Sequence, residues 1–319
     1  IKILFLFSLS MQIIEPVERH LLEQELNNGR FIRNANNGNN KLYVVTAHDS
    51  PNVLKEIGRV RELTFRAAGG GTGKAFDLDE FDLIENCYKQ LIVWNPADKE
   101  IVGGYRFIRC ADAATDPHSQ FKLATTELFH FTEKFINDYF PHTIELGRSF
   151  VQPQYQPSAD NRKGLFSLDN LWDGLGAIAI DNPDIKYFFG KVTMYLRFNR
   201  IARDMILAFM QHYFPDTDKM VYPHHPLPSE NDVSGFVASL KNLPYKEGHH
   251  ILNKKVRELG ENIPPLFNSY MNLSATMKTF GTALNHEFGD VEETGILISI
   301  DDIYESKKAR HVNTYHPTL

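Results

Sequence analysis

The spacing of apolar residues predicts a chain in which strands and helices alternate. KLYVVTA, which begins at Lys41, predicts the first strand, and the helical spacing of apolar positions after Pro51 predicts a helix that ends at the glycines following Ala68. YKQLIVWN and EIVGGYRFIRC, joined by the turn PADK, predict a β-hairpin. TIELGRSFV and the apolar run IKYFFGKVTM predict two further strands.

Three other segments have helical spacing and separate these strands: residues 125–139, GLFSLDNLWDGLGAIAI and residues 196–213. Residues 221–242 are rich in Pro, His, Ser and Asn, which indicates a surface insertion before a last helix–strand portion. The alternation predicts an α/β protein. We expect an N-terminal extension over 1–40, a core over 41–220, the insertion over 221–249 and a C-terminal lobe of the same domain over 250–319.

Composition fits an ordinary globular protein. The 319 residues are 42% hydrophobic and 23% charged, enough to bury one large core. A net charge of -6 and a pI near 6.1 argue against general nucleic-acid binding, which favours a basic excess. Two cysteines, Cys87 and Cys110, cannot form a disulfide framework and are typical of a reducing cytoplasm.

The first ten residues, IKILFLFSLS, are apolar and precede Met11. The run is too short to cross a bilayer. It has one lysine and no Ala-x-Ala, so it does not match a signal peptide. We expect the native chain to begin at Met11.

The stretch FRAAGGGTGKAFDLDEFD looks like a phosphate-binding loop but lacks its essential residues. Ala68 occupies the first glycine position of the motif, and Ala75 occupies the position of the magnesium-binding hydroxyl. The preceding segment is also a predicted helix rather than a strand. We therefore interpret residues 69–75, called the glycine loop below, as a flexible connection.

The histidine-containing segments YPHHPLP, EGHHIL and NHEFGD do not predict a metal site. Adjacent histidines point in different directions, and NHEFGD lacks the second histidine of His-Glu-x-x-His. Surface loops explain them better, and we expect no metal.

The segment TIELGRSFVQPQYQ is the best candidate for chemistry. Glu145 and Arg148 are three positions apart, so an ideal strand would place them on opposite faces. Gly147 lies between them, and a bulge there would bring both side chains to one face. Such a pair is either a general base with a substrate-orienting guanidinium or a buried ion pair that stabilises the sheet.

Several short motifs follow one another along the chain in an order that resembles one family. They are Arg61 and Phe65 in an Arg-x-x-x-Phe helix, Asp79 and Asp82 in Asp-x-x-Asp, Arg106 in GGYRFI, and Glu145 and Arg148 in ELGRSFV. Together they resemble the acyl-ACP-dependent N-acyltransferases of the GNAT superfamily, which include the ornithine-lipid and glycine-lipid synthases often labelled hemolysin-like. The acyl-homoserine-lactone synthases are more distant relatives with Glu-x-x-Arg at the same place. The resemblance runs from about Lys41 to Arg310 and is greatest to the glycine-lipid type of the Bacteroidetes.

The resemblance implies a GNAT-like fold, in which a mixed, twisted β-sheet has helices on both faces, with a C-terminal helix–strand lobe. It implies transfer of a long, 3-hydroxylated acyl chain from acyl carrier protein to the amino group of glycine, the first step of aminolipid synthesis. Ornithine, or a related small amino acid, is the alternative acceptor. A noncatalytic membrane-active protein is the alternative class. A lactone-forming synthase fits less well, because the tryptophan that this group has after the first helix is absent.

The resemblance also implies roles for the motif residues. Glu145 would act as the base, directly or through water, and backbone groups from Gly147 through Ser149 to Phe150 would contact the oxyanion. The three arginines of the motifs would either clamp the carboxylate of the amino acid or pair with the aspartates to hold a flap over the site. These arginines are Arg61, Arg106 and Arg148, and their expected neighbours are Phe65, Asp79 and Asp82. The glycine loop would then be the hinge of that flap.

The donor site lacks the glycine-rich motif that binds the pyrophosphate of coenzyme A. The corresponding segment has only Gln156, Arg162, Lys163 and Gly164, a sparser anion site that fits the single phosphate of phosphopantetheine. Carrier proteins are acidic, so a local basic patch should receive them. Two clusters are candidates: Lys191, Arg197, Arg200 and Arg203, or Lys254, Lys255 and Arg257. We expect acyl-ACP as co-substrate, no bound cofactor, and a cytoplasmic enzyme, with peripheral association at the inner face of the membrane as an alternative.

Overall fold

The computed structural model describes residues 11–115, 121–156 and 164–317. These residues form two compact units. The first unit contains the described residues up to Phe107, together with Arg148–Ala177 and His286–Gly289. The second contains Ile108–Gly147, Ile178–Asn285 and the described residues from Asp290 onward.

The first unit is built on antiparallel strands in the order β1-β2-β3-β4. Its helices and strands are α1 (Arg19–Glu25), β1 (Phe31–Asn34), β2 (Lys41–Val45), α2 (Pro51–Ala68), α3 (Glu80–Leu83), β3 (Lys89–Asn95) and β4 (Glu100–Arg109), the last of which continues into the second unit. The hairpin β3–β4 is the one predicted from sequence. The interior of β3, Leu91–Trp94, is buried on both faces and forms the centre of this core.

Helix α2 determines where the next segment runs. Pro51 occupies its first turn, and Gly69 ends it with a left-handed φ of 99°. A Cβ at Gly58 would lie 2.8 Å from the side chain of Leu78, so the missing side chain lets the segment after the glycine loop lie against the helix. The backbone N–H of Asp77 donates to the carbonyl of Gly58 at 2.9 Å.

The second unit has four strands in the order β6-β7-β10-β9 and a separate pair, β5 and β8. Strand β6 pairs with β7 in parallel, and the remaining pairs are antiparallel. The elements are β5 (Phe129–Phe131), β6 (Thr143–Val151), β7 (Tyr187–Met194), α5 (Arg200–Tyr213), β8 (Val221–Pro223), α6 (Ser234–Leu240), α7 (Tyr245–Glu258), α8 (Pro265–Met271), β9 (Lys278–Asn285), β10 (Val291–Ser299) and α9 (Glu305–His311). Helix α4 (Ser167–Asp181) begins in the first unit and enters the second at Ile178.

Strand β6 also has residues in both units, because the division falls between Gly147 and Arg148. Within the second unit, Thr143–Leu146 pair with Tyr187–Gly190 of β7. Within the first, the backbone N–H of Gln152 donates to Val102 of β4 at 3.0 Å. Gly103 and Gly104 lie under Phe150, where a side chain at either position would collide.

The structure confirms the predicted α/β class but corrects two local expectations. Residues 125–139, predicted as a helix, form a turn, strand β5 and one π-helical turn over Phe135–Tyr139. The interruption of β6 lies at Arg148, whose φ is 48°, rather than at Gly147. The expected surface insertion, 221–249, contains β8, α6 and the start of α7.

Candidate active site

Three arginines and three aspartates of the first unit form one buried cluster, called the arginine–aspartate cluster below. Its members are Arg61 from α2, Asp77 and Asp79 from the segment before α3, Asp82 from α3, Arg106 from β4 and Arg148 from β6. Five of the six were predicted as site residues, and the structure brings those five together. The sixth, Asp77, was missed.

Asp82 lies at the centre of the cluster and is fully buried. Its carboxylate accepts from Nη1 of Arg61 at 3.2 and 3.3 Å, from Nη1 of Arg106 at 3.3 Å and from Nε2 of Gln90 at 2.9 Å. Burial opposes the ionisation of Asp82, but the two guanidinium groups outweigh burial and hold the pKa of this carboxyl well below its usual range. Asp82 is therefore a buried anion stabilised by two buried cations.

Asp79 and Arg148 form the more exposed side of the cluster. Arg106 donates from Nη1 to both oxygens of Asp79 at 2.7 Å, and Arg148 approaches Asp79 at 3.4 Å. The side chains of Asp79 and Arg148 are 27% and 14% exposed, against 0% for Arg61 and 2% for Arg106. Arg148 is thus the arginine of this cluster with the best access to a ligand.

Asp77 pairs with Arg148, whose Nε lies 2.9 Å from Oδ2. The carboxyl is fully buried, and burial raises its pKa despite the nearby guanidinium groups. Its ionised form is therefore less well stabilised than that of Asp82. Aspartates 77, 79 and 82 all lie in DLDEFD, but the family motif points only to the last two.

Arg148 is fixed by its backbone and by an aromatic ring. Its left-handed φ of 48° is uncommon outside glycine. The guanidinium carbon lies 4.1 Å from the centroid of Phe288, and the predicted residue Phe65 packs edge-on against the same ring at 4.9 Å. Phe288 was missed from sequence because it lies far along the chain in the turn after β9.

The cluster supports the second role considered for the arginines, pairing with the aspartates. Three positive and three negative groups leave no formal excess of charge within it. The backbone N–H of Asp79 also donates to the carboxylate of Asp82 at 3.3 Å, which completes a capping box at the start of α3. The aspartates thus hold both the start of α3 and the arginine side chains in place.

The glycine loop is fixed by a buried carboxylate. Glu62 of α2 accepts from the backbone N–H groups of Thr72 and Gly73 at 3.0 and 2.8 Å, and its partner Arg66 donates at 2.6 Å. Arg66 also donates to the carbonyls of Met11 and Lys74. Glu62 was missed from sequence, where the loop was interpreted as a flexible connection.

The turn after β9 contacts the same loop. A Cβ at Gly289, whose φ is 81°, would lie 3.0 Å from Cα of Gly70 and 3.2 Å from the carbonyl of Gly71. Glycine is therefore required at this position both for backbone conformation and for space. The loop is held from α2 on one side and from this turn on another.

In the second unit, the predicted base Glu145 is buried in β6, with 1% of its surface exposed. Thr125 donates its hydroxyl hydrogen to Oε2 of Glu145 at 2.7 Å. Burial, and then the negative charge of Glu145, raise the pKa of the Cys110 thiol well above its usual value, so this thiol stays neutral. The pairing of β6 with β7 ends one residue after Glu145, at Leu146 and Gly190.

The remaining predicted residues of β6 and the donor segment lie in the first unit. Ser149 is half-buried, and Phe150 is buried against Gly104. Gln156 donates to the carbonyl of Val151 at 2.8 Å, and Gly164 is buried where a side chain would collide with Tyr155. Arg162 and Lys163 lie outside the described residues.

The first predicted docking cluster is mostly paired within the second unit. Arg203 is buried between Glu292 and Asp204, so it cannot face an acidic partner, which corrects that expectation. Lys191 is paired with Glu293 at 2.8 Å and is also largely buried. Arg200 pairs with Glu230 and Glu292, and Arg197 is exposed.

The second docking cluster lies on α7. Lys254, Lys255 and Arg257 are exposed in its last turns, and Lys255 pairs with Glu258 at 3.1 Å. Lys246 and His250 precede Lys254 on the same helix face at intervals of four residues, and both are also exposed.

Two features of the described residues concern membranes and metals. Across them, none of the helices combines the length and apolar character needed to cross a bilayer. Within the same ranges, His, Cys, Asp and Glu side chains do not gather in any group of three or more that could hold a metal ion.

Comparison with known proteins identifies the family. A model described as an acetyltransferase (GNAT) domain matches residues 60–162. Glycine N(alpha)-acyltransferase of Phocaeicola vulgatus is 52% identical over 313 residues, which cover 96% of this chain and 95% of the relative. The protein with the same name from Bacteroides thetaiotaomicron is 52% identical over 309 residues, covering 96% of this chain and 92% of the relative.

Two solved structures show more distant likeness. FeeM, an N-acyl amino acid synthase from uncultured soil microbes, has a TM-score of 0.40 at 9% identity, covering 86% of this chain and 94% of its own. The AHL synthase LasI has a TM-score of 0.40 at 10% identity, and the match covers 89% of this chain and 100% of the LasI chain.

The resemblance to GNAT N-acyltransferases predicted from sequence is confirmed by the GNAT-domain match and by the two curated relatives. Identity of 52% over 96% of the chain places the two curated proteins and this one in a single family. The chain is therefore an acyltransferase with a GNAT-like mixed α/β fold, and it belongs to the glycine N(alpha)-acyltransferase family.

Proposed function

We propose that this protein transfers a long, 3-hydroxylated acyl group from acyl carrier protein to the α-amino group of glycine, the first step of aminolipid synthesis. The observation that carries the proposal is the 52% identity, across 96% of the chain, to two glycine N(alpha)-acyltransferases. The arginine–aspartate cluster offers a guanidinium suited to a carboxylate ligand, and Glu145 is a buried carboxylate suited to accept a proton.

Arg148 is the group best suited to the carboxylate of the acceptor. It is the most exposed arginine of the cluster, and a guanidinium can pair with a carboxylate through two parallel hydrogen bonds. Its longer contact in the cluster, 3.4 Å to Asp79, can be exchanged for a ligand. Arg61 and Arg106 are buried and support the site by holding Asp82.

Glu145 is proposed as the base, acting directly or through water. The ammonium group of glycine must lose one proton before its nitrogen can attack the thioester carbonyl. Attack forms the C–N bond and a tetrahedral oxyanion, and collapse breaks the C–S bond. The nitrogen loses a second proton, and one proton returns to the departing thiolate of the carrier.

The oxyanion is proposed to contact backbone N–H groups over residues 147–150 of β6. The left-handed conformation at Arg148 interrupts the regular strand, and such interruptions leave backbone donors free to bind a ligand. A fixed donor near the developing charge is the usual means of stabilising this intermediate.

Acyl carrier protein is proposed as the donor for two reasons. The segment before α4 lacks the glycine-rich motif for the pyrophosphate of coenzyme A. The exposed basic face of α7, with Lys254, Lys255 and Arg257, has the charge needed to attract an acidic carrier.

The test is acyl transfer by the purified protein, followed by mass spectrometry. With 3-hydroxyacyl carrier protein and glycine, we expect N-acylglycine. Product from acyl-CoA but not from the carrier-bound chain would refute the donor, and product with ornithine but not glycine would refute the acceptor. Lysis of lipid vesicles without any donor, and no acylated product, would instead favour the noncatalytic class.

The base is tested by Glu145→Gln, which keeps the shape of the side chain but removes its ability to accept a proton. We expect kcat to fall by roughly 100-fold or more. Glu133→Gln, an exposed glutamate of the same unit, is the matched control and should keep wild-type kcat. Full activity of the Glu145 variant would show that the base lies elsewhere.

A further inference from the structure

Thr125 holds the proposed base by one specific contact. Its hydroxyl donates to Oε2 of Glu145 at 2.7 Å, a normal distance for a charge-assisted O–H···O bond. Both residues are 1% exposed, so this bond is shielded from water. A valine in place of Thr125 would have nearly the same shape and no donor.

The backbone around Thr125 is fixed on both sides. The carbonyl of Thr125 accepts from the N–H groups of Leu128 and Phe129 at 3.1 and 2.9 Å. The neighbouring Thr126 donates its hydroxyl to the carbonyl of Leu123 at 2.7 Å. The hydroxyl of Thr125 is therefore presented to Glu145 from a rigid turn.

A buried ion pair supports this turn from β7 and β10. Nζ of Lys191 donates to the carbonyl of Ala124, the residue before Thr125, at 3.1 Å. The same ammonium lies 2.8 Å from a carboxylate oxygen of Glu293. Lys191, expected from sequence to dock the carrier, thus anchors the segment that contacts Glu145.

We propose that Thr125 is a positioning residue for Glu145, and that the Lys191–Glu293 pair fixes Thr125 in turn. This inference rests on the proposed function, in which Glu145 accepts a proton from the amine. A hydroxyl donor stabilises the ionised carboxylate and fixes its plane. The base is thereby kept ionised and aimed while it is buried.

Three ionisable groups lie around this turn and must be kept the same in any comparison of pH profiles. Cys110 follows β4 and stays neutral, Lys191 belongs to β7, and Glu293 belongs to β10. A pH effect assigned to Thr125 must therefore be compared with a variant that leaves these groups in place. Thr125→Ser meets this requirement, because serine keeps the hydroxyl.

The test compares Thr125→Val, Thr125→Ser and the wild type in the transfer assay over a range of pH. We expect kcat of the valine variant to fall about tenfold and the acidic limb of its kcat–pH profile to move up by about one pH unit. Serine should restore both. Thr217→Val removes an exposed hydroxyl of the same unit and should leave the acidic limb in place.

A second readout does not depend on catalysis. With ¹³C-labelled glutamate carboxyls, assigned through Glu145→Gln, the midpoint of the Glu145 titration should move upward in Thr125→Val and return in Thr125→Ser. Equal midpoints and equal kcat in wild type and Thr125→Val would overturn the inference. Failure of the wild type to acylate any amino acid would refute the proposed function, while the carboxyl titration would still decide the role of Thr125.

Discussion

Replacing Asp82 with asparagine tests whether its charge stabilises the arginine–aspartate cluster. The substitution keeps the size of the side chain but removes the negative charge that faces two buried guanidinium groups. Arg61 is fully buried and Arg106 is 2% exposed, so neither can recover solvation from water. We expect the variant to bury uncompensated positive charge.

The magnitude follows from the contact distance. Unit charges 3.2 Å apart, as for Nη1 of Arg61 and Oδ2 of Asp82, attract by about 5 kcal/mol at an effective dielectric constant of about 20. Arg106 adds a similar attraction at 3.3 Å, but repulsion between the two arginines offsets part of it. We expect Asp82→Asn to lower the free energy of unfolding by about 3 to 5 kcal/mol, the usual cost of leaving a buried charge without its partner.

A double-mutant cycle separates the ion pair from other effects of the substitution. Arg61→Met alone should also cost about 3 to 5 kcal/mol, because it leaves Asp82 with one fewer cation. The double variant removes both charges, so its loss should be smaller than the sum by at least about 2 kcal/mol. If the loss in the double variant equals the sum of the two single losses to within about 0.5 kcal/mol, the proposed coupling is refuted.

The assay is urea unfolding followed by tryptophan fluorescence. Both tryptophans, Trp94 and Trp172, lie in the first unit, so their signal reports on the unit that contains the cluster. Asp77→Asn is the matched control within the cluster. Burial already raises the pKa of Asp77, so removing its charge should cost less than removing that of Asp82.

Asp82 should also make the free energy of unfolding depend on pH, in a direction set by its lowered pKa. The pKa of Asp82 is lower in the folded protein than in the unfolded chain, so the charge stabilises the fold above the unfolded value of about 4. That contribution should be lost as pH falls through the folded pKa. Wild type should therefore lose more stability than Asp82→Asn on acidification below about pH 4, as measured by urea midpoints. Parallel losses in the two proteins would contradict this account.

Three further substitutions test the elements around the cluster. Gly289→Ala should cost about 2 to 3 kcal/mol, because it combines a left-handed backbone with a contact to Gly70. Gly73→Ala, in the same unit and also left-handed but with open space around its Cβ position, should cost about 1 kcal/mol in the same urea assay. Glu62→Gln should speed hydrogen exchange of the glycine-loop amides measured by mass spectrometry, and unchanged rates would mean that the loop is held by other contacts. Arg148→Lys should raise KM for glycine about tenfold with a smaller change in kcat, and an unaltered KM would exclude this arginine from carboxylate binding.

Local patterns in the sequence predicted most of the regular structure. Helix α2, the β3–β4 hairpin and β7 each have an uninterrupted apolar pattern and clear turn or capping residues at their ends. Residues 125–139 were predicted wrongly because their apolar side chains also fit helical spacing. Strand β5 forms there by pairing with β8, about 90 residues later, and such a distant partner overrides local preference.

The candidate site was predicted only where a motif named its residues. Asp79 and Asp82 were found through Asp-x-x-Asp, whereas Asp77, two residues earlier, becomes a partner of Arg148 only once the backbone of Gly58 fixes its position. Thr125 and Phe288 have no local signal, because each acts by contacting a residue distant along the chain. The docking expectation for Arg203 was wrong because helical spacing does not reveal which face is buried.

The contact of Phe288 with Arg148 limits how this protein can be shortened. The recognised acetyltransferase segment, residues 60–162, includes both Arg148 and Phe65 but ends more than a hundred residues before the ring that packs on them. A fragment cut to that segment would keep every residue of the arginine–aspartate cluster. It would lose Phe288, the ring that packs on Arg148, the most exposed arginine of the cluster. Truncated or chimaeric versions of this protein that are meant to keep the packing on Arg148 should therefore include the chain through Gly289.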